Sequence, residues 1–316
     1  MPKVLPQREL NKEMEGVKMR KFEGVYPAMV TPLNKRLKID EDGLRYEVDF
    51  LIGNHVHGLV TLGSSGEFPY LTVDEKKRVI DIVVEQTNRR VPVIVCTSNV
   101  GTEEVILLSR YAEDRGADGL LINLPIYFPL TDKDVLNHYK AISKAVDLPI
   151  LLYDFSYVTH LEMSPELISK LSYIENVVGI KETGPVEKVE KILQMKKKEP
   201  FYVFTGISFV LLPILKIGGA GVICPIPCIV PREIVSIYES FKKGDVEKAS
   251  QLQEKIYPLV SMMAVPVQSP LVKEAMRQLG HPIQPYVKRP LPQITEAQKD
   301  IVRKSLIDLG LIKSKG

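Results

Sequence analysis

The chain has 316 residues, 42 of them lysine or arginine against 39 aspartates and glutamates, and 45% of it is hydrophobic. A net charge of +3 gives no broad field for nucleic acid or an anionic membrane, so a small molecule is the expected partner of a core this large. Three cysteines, Cys96, Cys224 and Cys228, are too few and too unevenly spaced for a disulfide framework, which points to reduced thiols in a cytoplasmic protein, and no apolar run reaches the roughly 20 residues that span a bilayer.

The first 20 residues are polar and read as a loose N-terminal arm. From Val25 onward, short runs rich in Val, Ile and Leu alternate with amphipathic stretches. The runs are VYPAMVTP from Val25, GLVTLG from Gly58, VPVIVCT from Val91, GLLINLP from Gly119, PILLYDF from Pro149, VVGIKE from Val177, YVFTGI from Tyr202 and GVICPI from Gly221. Each is almost wholly apolar, as strands are when helices cover one side and a packed barrel interior the other. Helix starts are marked by Asp74 before EKKRVIDIVVEQ, by Thr102 with Glu104 and Val105 behind it, and by Ser164-Pro165. Later, DVEKASQLQEKIYPLVSMM, PLVKEAMRQLG and TEAQKDIVRKSLIDLG read as three further helices. The pattern predicts an α/β chain: a (β/α)8 TIM barrel over residues 21–243 with a C-terminal helical appendage over 244–316. A doubly wound open sheet would show a glycine fingerprint after its first strand, where this chain has MVTPLNKR.

Barrel enzymes place their chemistry at the C-terminal ends of the strands. That rule selects Thr31, the turn Gly63-Ser64-Ser65-Gly66-Glu67, Thr97 and Ser98, Asn123, Pro125 and Tyr127, Tyr153 and Asp154, Lys181 and Glu182, Thr205, Gly206 and Ser208, and Pro225. Lys181 is the one strand-borne lysine in the set. An amine attacks a carbonyl only when neutral, and an ordinary lysine pKa near 10.4 leaves about one in 2,500 neutral at pH 7. Burial at a barrel mouth favours the neutral form; a solvated lysine with its stem on the barrel is the competing reading. In the GSSGE turn the glycines permit unusual backbone angles, while two hydroxyls and free amides offer a nest for a carboxylate. Tyr153 and Tyr127 bring phenols to the same mouth, as a proton relay or as packed edge residues. No metal is expected: His55 and His57 precede strand two, His138 falls on a helix, His281 lies beyond the barrel, and only His160 is near the mouth. The GGAG run ending at Gly221 precedes strand eight, the wrong end for a phosphate loop.

With GSSGE after strand two, Leu-Tyr-Asp at strand five and Gly-Ile-Lys-Glu-Thr at strand six, in that order, the sequence resembles the dihydrodipicolinate synthase and N-acetylneuraminate lyase family. These are pyruvate-dependent class I aldolases, 2-keto-3-deoxygluconate aldolases among them. VTP near strand one, LPIYF after strand four and the late RPLP extend the resemblance from Gly24 to the C-terminal helices. It implies a lyase without a cofactor, taking pyruvate and an aldehyde, in which Lys181 forms the Schiff base. It further implies that Ser64 and Ser65, with backbone amides about Gly63, hold the pyruvate carboxylate and that Tyr153 is the general acid and base. Tyr127 would reach a neighbouring subunit's relay through Ser64, in a homotetramer built as a dimer of dimers. Asp154, Val158, Thr205 and Gly206 are expected along the substrate wall.

Departures from the family bear on the aldehyde. Ser64-Ser65 stands where Thr-Thr is common, Ile126 where an aromatic often precedes the relay tyrosine, and Tyr153-Asp154-Phe155-Ser156 where many members read Tyr-Asn-x-Pro. Synthases that use aspartate semialdehyde carry an arginine where this chain has Val158, and valine cannot form a bidentate carboxylate clamp. Ser156, Tyr157, Thr159 and His160 offer hydroxyls and an imidazole in the same loop. The expectation is therefore a hydroxylated aldehyde, as in a 2-keto-3-deoxy sugar acid aldolase. The alternative is 4-hydroxy-tetrahydrodipicolinate synthase activity, and the alternative of another class is a non-catalytic keto-acid sensor.

Overall fold

The computed structural model describes residues 21–196 and 199–314, so the arm expected over residues 1–20 lies outside the described residues. Eight parallel strands are present: β1 (Gly24–Pro27), β2 (Leu59–Thr61), β3 (Val93–Cys96), β4 (Gly119–Asn123), β5 (Ile150–Asp154), β6 (Val177–Glu182), β7 (Tyr202–Thr205) and β8 (Gly221–Cys224). They pair in the order β1-β8-β7-β6-β5-β4-β3-β2. The ring closes where Ala28 bridges Val60 in parallel sense and the Met29 N–H donates to the Val60 carbonyl at 2.9 Å. Nearly every strand residue is buried, because helices cover one face and the barrel interior fills the other. The fold is a (β/α)8 barrel.

A helix follows each strand: α1 (Glu41–Gly53), α2 (Val73–Thr87), α3 (Thr102–Arg115), α4 (Asp132–Ser143), α5 (Pro165–Leu171), α6 (Val186–Met195), α7 (Leu211–Lys216) and α8 (Pro231–Lys242), with an extra helical turn at Ser156–Thr159 between β5 and α5. The start of α2 lies two residues earlier than Asp74 suggests. Thr72 caps it, accepting from the Glu75 N–H, while the Glu75 carboxylate accepts from the Thr72 N–H. Gly101, not Thr102, caps α3, and the Thr102 hydroxyl is paired with His138 Nδ1 at 2.9 Å. Ser164 caps α5 with Pro165 in its first turn, as the sequence predicts.

Beyond the barrel lie four helices rather than three: α9 (Val246–Lys255), α10 (Leu259–Met263), α11 (Ser269–Gln278) and α12 (Glu296–Asp308). The first predicted helix is split at Pro258, which has no N–H to continue the ladder. Charged contacts tie this region to the barrel mouth. Lys273 of α11 is fully buried, and its amine donates to Glu67 Oε1 in the loop after β2 and to the Tyr286 carbonyl. The other Glu67 oxygen accepts from the Lys288 N–H at 2.7 Å, and Lys288 Nζ reaches Glu75 at 2.6 Å.

Removing one partner of such a buried pair leaves the other charge without compensation. Lys273→Met should lower unfolding stability in urea by about 3–5 kcal/mol, with much of the loss recovered when Glu67→Gln is added. A Lys273→Met protein within about 1 kcal/mol of wild type would show that the pair does not anchor the loop.

Candidate active site

The parallel register of β5 and β6 sets Tyr153 opposite Lys181 and Asp154 opposite Glu182. Successive strand residues point to opposite faces, so the first pair enters the barrel and the second faces the helices. Lys181 is 5% exposed, and its Nζ lies 4.0 Å from the centroid of the Tyr153 ring. The Tyr153 hydroxyl is 3.2 Å from Ser64 Oγ. Gly206, after β7, leaves the space this arrangement needs: a Cβ there would lie 2.1 Å from Thr183 Cγ2 and 3.3 Å from Lys181 Cε. Cys224 also borders the site, with Sγ 2.6 Å from Ser208 Oγ. Burial pushes its thiol up to about 11, so it stays protonated near neutral pH.

In the loop after β2, the left-handed backbone positions are Leu62 and Glu67, not the glycines. Gly66 serves a different need, since a Cβ there would lie 3.1 Å from the Leu62 Cα and N. Its carbonyl accepts from the Thr31 hydroxyl at 2.8 Å, which fastens the loop to the end of β1. Held by Thr31 on one side and by Glu67 on the other, the loop presents Ser64 and Ser65 to a cavity of about 730 Å³.

Ser64, Ser65, Tyr153, Val158, Lys181 and Gly206 line that cavity together. Gly63, Thr205, Asp154 and Tyr127 do not. For Asp154 the reason is strand parity: its carboxylate faces α6, accepting from Lys188 Nζ at 2.8 Å and from the Met163 N–H at 2.9 Å. The Thr205 hydroxyl accepts from the Ile207 N–H at 3.1 Å. Tyr127 is 76% exposed and packs edge-to-face on Phe128, itself 71% exposed; of that segment, Ile126 reaches the wall. In the loop after β5, Tyr157, Val158 and Thr159 line the cavity while Ser156 and His160 do not, and the Thr159 hydroxyl donates to the Phe155 and Leu161 carbonyls.

Sequence reasoning misses a wall contributed by Val260 and residues 263–269, from α10 to the first residue of α11. No barrel rule points to residues so far past the last strand. It also misses the charge cluster behind the site. Lys188 Nζ lies 2.8 Å from Asp154, 2.8 Å from Glu162 and 3.2 Å from Glu182. Glu182 Oε1 accepts from the Gly184 N–H at 2.6 Å, while the buried Oε2 is the oxygen that faces Lys188 Nζ. Burial, then the neighbouring Asp154, push the Glu182 carboxyl up to about 7 against the pull of Lys188.

A carboxyl with a raised folded-state pKa favours folding while it is protonated and loses that contribution as pH rises through the folded value. The stability of wild type relative to Glu182→Gln should therefore fall between about pH 4.5 and about pH 7, and level off above. Parallel stability–pH curves for the two proteins across that window would mean that Glu182 ionises as an ordinary carboxylate.

The sequence profile of the Dihydrodipicolinate synthetase family matches residues 21–308. The 4-hydroxy-tetrahydrodipicolinate synthase of Methanoculleus marisnigri is 36% identical over 292 residues, which is 92% of this chain and 100% of that protein. The protein of the same name from Methanocaldococcus jannaschii is also 36% identical, with the same coverage. Among solved structures, YagE of E. coli K12 is a prophage protein of the dihydrodipicolinic acid synthase family in complex with pyruvate. It superposes with a TM-score of 0.90 at 28% identity, over 93% of this chain and 100% of its own. Such a match across the whole barrel makes this chain a member of the dihydrodipicolinate synthetase family, a pyruvate-dependent lyase.

Proposed function

We propose that Lys181 captures pyruvate as a Schiff base and that the resulting enamine adds reversibly to an aldehyde. The observation that carries this is the convergence of the Lys181 amine, the Tyr153 phenol and the Ser64 and Ser65 hydroxyls on one cavity. Lys181 Nζ attacks the keto carbon and water leaves, forming an imine whose positive charge acidifies the adjacent methyl group. Tyr153, held by Ser64 beside the amine, moves the protons. Enamine formation releases a methyl proton. The methyl carbon then bonds to the aldehyde carbon, whose oxygen takes up a proton. Water finally hydrolyses the imine, releasing a 4-hydroxy-2-keto acid and the free amine. Ser64, Ser65 and neighbouring amides bind the pyruvate carboxylate.

Tyr127 is assigned to the cavity of a second copy. Its phenol is exposed and lies outside the cavity of its own chain, a placement that suits a shared site in a dimer and a dimer of dimers as the assembly. For the aldehyde, the names of the curated relatives favour aspartate semialdehyde; of the polar residues offered by the loop after β5, Tyr157 and Thr159 line the cavity and Ser156 and His160 do not. Of these two polar acceptors, 4-hydroxy-tetrahydrodipicolinate synthase activity therefore ranks ahead of 2-keto-3-deoxy sugar acid cleavage. The semialdehyde's carboxylate would have hydroxyl and amide donors alone, because Lys181 is the single charged side chain on the wall among the described residues.

Exchange of the pyruvate methyl protons in D2O, followed by NMR without aldehyde, isolates imine and enamine formation. Wild type should exchange them, Lys181→Arg should not, and Tyr153→Phe should be slower by about 10^2- to 10^4-fold. Undiminished exchange in Lys181→Arg would remove the Schiff base from that residue. With pyruvate present, kcat/KM for aspartate semialdehyde should exceed that for glyceraldehyde; the opposite order would restore the sugar-acid reading. Mixing inactive Lys181→Ala with inactive Tyr127→Phe should regain activity once subunits exchange, and no rescue would leave each site self-contained.

A further inference from the structure

We infer that the side-chain amide of Asn123 binds the polar substituent of the acceptor aldehyde and so selects for acceptors that carry one. The inference rests on the Schiff-base reading of Lys181 and adds to it a residue for the second substrate. Asn123 ends β4 and is the register partner of Tyr153, which is in turn the partner of Lys181. Residues paired across parallel strands share a face, so one layer of the barrel mouth carries an amide, a phenol and an amine on three adjacent strands, each about 4.8 Å from the next. Asn123 lines the cavity and is 5% exposed. Its backbone is fixed, the N–H donating to Ser98 Oγ at 2.9 Å. Its side chain makes no hydrogen bond to another described residue.

A side-chain amide buried this far is ordinarily hydrogen-bonded. Other polar side chains of the wall direct their donors elsewhere. Thr183 donates to the Asp154 carbonyl at 2.7 Å, Thr159 to the Leu161 carbonyl at 2.9 Å and Gln268 to the Met263 carbonyl at 3.0 Å, while Ser208 pairs with Cys224. Asn123 keeps both amide N–H donors and its carbonyl for a ligand. Pyruvate does not call on them: its keto carbon goes to Lys181, its methyl protons to Tyr153 and its carboxylate to Ser64 and Ser65. The polar atoms that remain in the reaction belong to the aldehyde. The new carbon–carbon bond puts the aldehyde carbon about 4 Å from Nζ, with its substituent an atom or two farther, which suits a group two strand spacings from Lys181. An amide can meet a hydroxyl, an ammonium or a carboxylate, so it serves aspartate semialdehyde and glyceraldehyde alike and offers nothing to an unsubstituted chain.

The test uses the full chain with pyruvate and three aldehydes: aspartate semialdehyde, glyceraldehyde and propanal, the last without a polar substituent. Product formation is followed by mass spectrometry for wild type, Asn123→Leu and the smaller Asn123→Ala, with pyruvate methyl exchange in D2O measured on the same preparations without aldehyde. For the polar aldehyde that wild type prefers, both variants should lose kcat/KM relative to propanal by at least about fivefold, and by up to about 150-fold where the substituent is charged, mostly through KM. Methyl exchange should stay within about threefold of wild type, because pyruvate activation does not use the amide. An unchanged ratio of polar aldehyde to propanal, or exchange that collapses together with the aldol step in both variants, would overturn the inference and leave the Schiff-base reading of Lys181 standing. A wild-type chain that exchanges no methyl protons would overturn both.

Discussion

The site depends on the register between two neighbouring strands. Because β5 and β6 pair with Tyr153 opposite Lys181, the phenol and the amine enter the barrel side by side. A slip of one residue would turn Lys181 outward among the helices and bring Glu182 into the cavity. The same register has a cost. Asp154 and Glu182 are brought together on the outer face, where burial, and then the neighbouring Asp154, raise the Glu182 pKa. Lys188 from α6 offsets that repulsion, so the Tyr153–Lys181 pair in the cavity and the charge cluster behind it share one origin.

A second constraint joins the end of the chain to its middle. Glu67 closes the GSSGE loop, and its carboxylate is held by Lys273 and the Lys288 N–H, both far past the last strand. The segment before α11 also supplies a wall of the cavity. The C-terminal helices are therefore part of the site as well as of the core. A change at Lys273 would bear on the loop that carries Ser64 through Glu67, although Lys273 does not line the cavity.

Much of this is visible in the residues. Eight apolar runs locate the strands, and the rule that barrel chemistry sits at strand ends selects Lys181, Tyr153 and Ser64 within a longer set of residues. The rule does not distinguish parity. Asp154 adjoins Tyr153 in the chain and is selected with it, yet period-2 alternation sends it to the opposite face. Counting parity from Lys181 would separate them, since Glu182 stands to Lys181 as Asp154 does to Tyr153. Pro258 was a readable stop, and the split of the first C-terminal helix follows from it. Lys273 was not readable: within PLVKEAMRQLG it looks like a solvated helix position, and its burial arises only from contact with a loop some two hundred residues earlier. Left-handed backbone at Leu62 and Glu67 is likewise invisible, because neither residue type favours it.

The account stands or falls on covalent capture at one lysine. The direct measurement is reduction with borohydride in the presence of pyruvate, followed by peptide mapping. One reduced pyruvate per chain on Lys181, with no label on a Lys181→Ala chain, is the predicted result. Label on another lysine, or an unlabelled wild-type chain under conditions where pyruvate is bound, would contradict it.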